Sequence, residues 1–153
     1  MKKQDGFTLI ETLVAVALVV ILSAVGISGW QSWQAQQRLW QTALQARHFL
    51  ERLREDANWH NRPQVVYSAR EGEQWCLLTT TSQTCATEGA FVLRPAWPDI
   101  SLGEVTPSLG FYGLRSTAWP GHIRLRSSAG EWRVVVSAWG RIRMCRHAAE
   151  SVC

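Results

Sequence analysis

The residues with the clearest chemical purpose stand at the amino terminus. Lys2, Lys3, Asp5 and Gly6 precede an apolar run, Phe7 to Gly29, whose only charge is the carboxylate of Glu11. A carboxylate at the centre of a membrane helix costs about 2.5 to 3.5 kcal/mol, so an ionisable group in such a run points to function. Glu11 needs a cationic partner, and it sits five residues past a glycine, the residue that lets an extended chain enter a narrow active site without steric conflict.

The other reactive side chains are fewer than the length suggests. Four cysteines, Cys76, Cys85, Cys145 and Cys153, all lie beyond the apolar run. An even count in an exported domain reads as disulfides, and the pairings Cys76 with Cys85 and Cys145 with Cys153 are favoured because each closes a short loop. No cysteine pair has the spacing of a zinc knuckle and His60 and His122 are isolated, so no metal is expected. The acidic pairs Glu55 with Asp56 and Glu71 with Glu73 read as solvated surface charges. No phosphate loop or nucleophile-and-base arrangement is present, so neither catalysis nor a cofactor is expected.

Both lysines lie in the first six residues, so all other cationic side chains are 14 arginines, accompanied by nine tryptophans. Removing Lys2, Lys3 and Asp5 would take the formal charge from +4 to +3 (two positive charges and one negative lost). Arginine forms bidentate pairs and stacks on aromatic rings. For most of these residues the expectation is arginines over the surface and tryptophans filling a small core.

The elements that must hold these groups follow from periodicity. At about 1.5 Å per residue, Phe7 to Gly29 can cross a hydrocarbon core of about 30 Å. It is longer than the apolar region of a cleaved secretory signal, and Ser23, Ala24, Gly26 and Ser28 make a poor cleavage site for one. Leu39, Ala43, Ala46, Leu50, Leu53 and Ala57 then recur at steps of four and three, which draws one apolar stripe down a helix. A helix over about residues 8 to 57 is predicted, weakest at Gly26 and Gly29.

From Arg62-Pro63 onward the period becomes two. Strands are predicted at 64–68, 74–80, 90–93, 108–112, 122–127, 132–137 and 141–145, with turns at Glu71-Gly72, Thr106-Pro107, Pro120-Gly121 and Ala129-Gly130. Ile123 and Leu125 alternate with Arg124 and Arg126, giving one apolar and one basic face. The fold class is α+β: a long amino-terminal helix, half transmembrane and half amphipathic, packed on a small antiparallel β domain. The expected divisions are residues 1–6, a transmembrane helix (7–29), an amphipathic helix (30–61) and a β-rich domain (62–153).

Gly6 followed by Phe7-Thr8-Leu9-Ile10-Glu11 resembles the class III signal of type IV prepilins and type II secretion pseudopilins. The resemblance implies cleavage by prepilin peptidase between Gly6 and Phe7 and N-methylation of Phe7. It also implies an inner-membrane helix with its amino terminus in the cytoplasm, as Lys2 and Lys3 favour. Glu11 would pair with the amine of Phe7, its own or a neighbour's, and set the axial register of packed helices. With the strands that follow, and with Trp139-Gly140-Arg141-Ile142-Arg143, the chain resembles minor pilins and pseudopilins of the GspH/FimT type.

The implied function is a minor subunit that helps initiate or cap a pilus or secretion pseudopilus. Its implied partners are other minor pseudopilins, a major pilin and inner-membrane lipid. Glu11 and the stripe of Leu39, Ala43, Ala46, Leu50 and Leu53 are expected to serve assembly. The alternative is DNA capture, since some FimT-type pilins bind DNA through a Gly-Arg-x-Arg element that Gly140 to Arg143 matches. There Arg141, Arg143 and Arg146 would meet phosphates, aided by Arg124, Arg126 and Arg133. DNA is not the favoured partner, because a charge of +3 is modest.

Overall fold

A computed structural model describes residues 8–82, 84–85, 89–115 and 117–146. The chain divides into two compact units at Gln34/Ala35.

Helix α1 spans Leu9–His60. Its apolar first half has no proline, and the glycines at 26 and 29 leave it unbroken. Its end is well defined. Asn61 adopts a left-handed conformation (φ 48°) and the Arg62 amide donates to the Ala57 carbonyl at 3.3 Å, which together make a Schellman-type stop. Pro63 then prevents continuation.

In the first unit, every side chain of α1 from Leu9 to Gln34 is exposed. This segment is long and apolar enough to cross a membrane. Its hydroxyls are satisfied within the helix: Thr12 donates to the Leu9 carbonyl (2.8 Å), Ser23 to Val19 (2.7 Å) and Ser28 to Val25 (3.0 Å). None of these three donors is therefore left unpaired when desolvated by lipid.

The second unit is two antiparallel sheets packed with the later turns of α1. The five-stranded sheet has the order β3-β2-β1-β5-β6, with β1 Gln64–Glu71, β2 Gln74–Thr79, β3 Val92–Leu93, β5 Gly110–Tyr112 and β6 Thr117–Trp119. The four-stranded sheet has the order β4-β7-β8-β9, with β4 Ser101–Val105, β7 Gly121–Ser127, β8 Gly130–Val136 and β9 Ile142–Arg146. A two-residue turn at Gly72-Glu73 joins β1 to β2, with Gly72 at φ 65°, a value its missing side chain allows.

The predicted stripe forms the spine of the core: Leu39, Ala43, Ala46, Leu50, Leu53 and Ala57 are all at most 1 % exposed. Phe49 and Thr42 join them, and Thr42 returns its hydroxyl to the Arg38 carbonyl. Against this spine lie Val66 and Leu77 of one sheet, and Ile123, Leu125, Val134 and Val136 of the other. The stripe side chains expected to serve assembly are therefore enclosed by the chain's own sheets and offer nothing to another subunit. The one face that steps of three and four create is the face the strands cover.

Three other expectations change. Strands β4 and β6 were not foreseen; β4 carries Gly103, and a β carbon there would come within 3.3 Å of the Arg124 side chain, which lies across it. Tryptophan does not fill the core: Trp75 is buried with its indole N–H donating to the Ile100 carbonyl (2.8 Å), whereas Trp59 and Trp139 are 85 % and 87 % exposed. The third change concerns Asp56, which is not a solvated surface charge, as described below.

Candidate functional site

Two regions gather the chemistry. The first is the start of α1. Glu11 lies in its first turn, with its amide donating to the Thr8 carbonyl at 3.0 Å. There the unpaired amides of a helix amino terminus favour a negative group. An amine at position 7 would lie four residues earlier in sequence. Gly6 and Phe7 themselves lie outside the described residues.

The second region is the outer face of the four-stranded sheet. Strand register sets its rows: Arg124 is opposite Arg133, which is opposite Cys145, and His122 is opposite Val135, which is opposite Arg143. Alternation sends Ile123, Leu125, Val134 and Val136 inward and these residues outward. Glu131 sits among the hairpin arginines, 2.7 Å from Arg126 Nε, 3.1 Å from Arg124 Nε and 4.0 Å from an Arg133 terminal nitrogen. Glu104 lies 3.6 Å from Arg124 and from His122. Each of the three hairpin arginines thus lies within 4.0 Å of a carboxylate, with Glu131 and Glu104 shared among them.

The expected cluster of Arg141, Arg143 and Arg146 does not form as a unit. Two-residue alternation puts Arg141 and Arg143 on the outer face and Arg146 on the other. There Arg146 lines a small cleft with Gln36, Gln37, Trp40 and Trp132. Arg141 and Arg143, with Val135, Ser137 and Trp139, line a separate cleft of about 370 Å³.

The turn before β9 is tightly held. Gly140 has φ 71°, its amide donates to the Ser137 carbonyl (2.9 Å), and the Ser137 amide donates to the Arg141 carbonyl (3.0 Å). The Ser137 hydroxyl accepts from the Arg141 amide (3.2 Å), and Arg54 of α1 donates to the Gly140 carbonyl at 3.0 Å. The exposed Trp139 therefore stands on a fixed turn.

Asp56, in the last full turn of α1, was missed by sequence reasoning as a structural centre. Its side chain is only 9 % exposed. It accepts from Arg62 Nε and a terminal Arg62 nitrogen, both at 2.8 Å, and from the Gln64 amide, while His60 Nδ1 lies 3.0 Å away. The Arg62 bond holds the Asp56 carboxyl below the usual carboxylate range, with burial opposing it and Gln64 assisting. The signal was available in the spacing: Asp56 and Arg62 flank a helix stop that folds one back on the other.

Cys76 and Cys85 form a disulfide, with α carbons 6.0 Å apart. Cys145 is also disulfide-bonded, and Cys153 lies outside the described residues. Among the described residues no group of three His, Cys, Asp or Glu side chains is arranged to hold a metal ion.

Comparison with known proteins bears on the first region and on the fold. Residues 1–27 match the family described as the prokaryotic N-terminal methylation motif. The fold is similar to that of the minor pseudopilin EpsH from the type 2 secretion system of Vibrio cholerae, with a TM-score of 0.52 and 16 % identity over 71 % of this chain and 97 % of that one. No curated protein sequence matches significantly. The chain therefore carries a prokaryotic N-terminal methylation motif and an α+β fold similar to that of a minor pseudopilin.

Proposed function

We propose that this chain is a minor pilin-like subunit that helps initiate or cap assembly of a type IV pilus or type II secretion pseudopilus. Prepilin peptidase cuts between Gly6 and Phe7 and methylates the Phe7 amine. The apolar half of α1 anchors the subunit in the inner membrane, with its amino terminus cytoplasmic and its second unit periplasmic. The role is structural, and other pilin-like subunits are its partners.

One observation carries this reading: a lone carboxylate, Glu11, in the first turn of an otherwise uncharged and fully exposed apolar segment, five residues after Gly6. In lipid that carboxylate is stabilised by an amine at position 7, which only cleavage after Gly6 creates. Gly6→Val tests it, because a branched side chain blocks the scissile bond from a narrow active site. The variant is expected to accumulate as a slower-migrating, membrane-bound precursor whose amino terminus is unmethylated by mass spectrometry. Normal cleavage of Gly6→Val would refute the reading.

DNA capture is the second reading, and Arg141 and Arg143 favour it as two outward guanidiniums without a carboxylate partner among the described residues. It is weakened by Arg124, Arg126 and Arg133, which share Glu131.

A further inference from the structure

The cleft lined by Val135, Ser137, Trp139, Arg141 and Arg143 combines three properties. It is concave, with a volume of about 370 Å³, within the range of about 300 to 1,000 Å³ that ligand sites occupy. It presents Trp139, 87 % exposed to solvent, on a turn held by the four hydrogen bonds described above. It holds two guanidiniums with no acidic neighbour within ion-pair distance among the described residues, although every other arginine on this sheet face has one.

A large exposed tryptophan beside unpaired arginines is the composition of a protein-binding hot spot. The isoleucine at 142 turns inward, so both arginines project on the same side, two residues apart along an extended strand. Successive outward side chains of a second extended segment repeat at the same interval.

From this geometry we infer that the cleft binds an extended, carboxylate-bearing segment of another protein subunit, with two acidic side chains on the guanidiniums and an intervening apolar one against Trp139 and Val135. That the owner of the segment is a fellow pilin-like subunit rests on the function proposed above; the recognition chemistry does not. Carboxylates suit the site better than a phosphate backbone. Five arginines against Glu131 and Glu104 leave three net charges on this face, so nucleic acid bound here would lose about fortyfold in affinity between 50 and 200 mM salt, short of the 10³ to 10⁵ of binders with six to ten phosphate contacts.

The test uses the full chain in uncharged detergent micelles and three labelled probes read by fluorescence anisotropy. These are a capped Gly-Glu-Leu-Glu-Gly peptide, its Gly-Gln-Leu-Gln-Gly counterpart and a short DNA duplex. The acidic peptide is expected to bind at least tenfold more tightly than the glutamine peptide. Arg141→Gln, Arg143→Gln and Trp139→Ala should each weaken it by about tenfold or more, as loss of a charge-assisted bond or an aromatic anchor does. Arg146→Gln, on the opposite face, should leave it unchanged, and unaltered melting of each variant shows that the fold is intact. Equal binding of the two peptides, indifference to Arg141→Gln and Arg143→Gln, or a duplex that binds more tightly than the peptide through those same arginines would overturn the inference. None of these results depends on processing at Gly6, so the two proposals fail separately.

Discussion

Replacing Asp56 by asparagine should destabilise the second unit without touching its surface. The carboxylate lies in the last full turn of α1, where the helix carbonyls already supply partial negative charge, so it is unfavourable there unless cations offset it. Arg62 does so through two bonds of 2.8 Å, with Gln64 and His60 adding a third and a fourth contact. Asparagine keeps the shape but removes the charge, and its amide turns a donor toward groups that are themselves donors. Hydrogen bonds to charged groups contribute about 1.5 to 3 kcal/mol each, and removing one member of a buried pair costs about 3 to 5. The Arg62 side chain is 43 % exposed and recovers water when its partner is lost, so the lower end applies, about 2 kcal/mol. For a unit of this size that corresponds to a fall in Tm of about 6 to 10 °C, measured by near-ultraviolet circular dichroism of the full chain in detergent. The pH dependence has a fixed sign. The folded carboxyl is depressed, so its stabilisation is complete above the unfolded value of about 3.9 and is lost as pH falls through the lower folded value. The gap between wild type and variant should therefore still be present at about pH 5 and close below about pH 4. A variant that melts within about 2 °C of wild type at pH 7, or a gap that does not narrow in acid, would show that this cluster is not what joins helix to sheet.

Three further outcomes follow from the same structure. Gly110→Ala would place a β carbon 2.6 Å from the Gln64 carbonyl oxygen and 2.9 Å from the Val65 α carbon, so β5 must move off β1 at a cost of about 2 to 3 kcal/mol, seen as a lowered urea midpoint. Cys76→Ser with Cys85→Ser should lower stability by about 2 to 3 kcal/mol, the loop-closure contribution of a short disulfide, and reductant should reproduce part of that loss in wild type. Glu11→Gln should still be cleaved after Gly6, but should co-purify poorly with other pilin-like chains from membranes; undiminished co-purification would remove the assembly role from this carboxylate.

The parts of the fold that were legible in sequence are those where one side chain repeats one role. The stripe from Leu39 to Ala57 was readable because the whole β domain packs on one helix face, and its six positions are all buried. The β7–β8 hairpin was readable because Ile123 and Leu125 alternate with Arg124 and Arg126. Strand β4 was not, because it alternates poorly, shifts register between Leu102 and Val105 and spends one position on the glycine beneath Arg124. Strand β6 is three residues long, too short for any period to appear. Tryptophan burial was misjudged because composition counts aromatic rings without saying which face they leave from; Trp59 and Trp139 leave from a helix face and a turn that nothing in the described residues covers.

The carboxyl-terminal arginines illustrate why a linear motif underdetermines a site. In sequence, Arg141, Arg143 and Arg146 read as one basic run beside a basic hairpin. In the sheet, one odd interval sends Arg146 to the opposite face, while a single glutamate, Glu131, collects the hairpin arginines. What survives is a pair of guanidiniums flanked by an indole, and its selectivity must come from spacing rather than from total charge. A surface that binds by summed charge tolerates the loss of one arginine; a two-point cleft does not. The ratio between the effects of Arg143→Gln and Arg126→Gln on any ligand of this face therefore separates the two modes of binding, and a ratio near one would favour the diffuse, charge-driven mode.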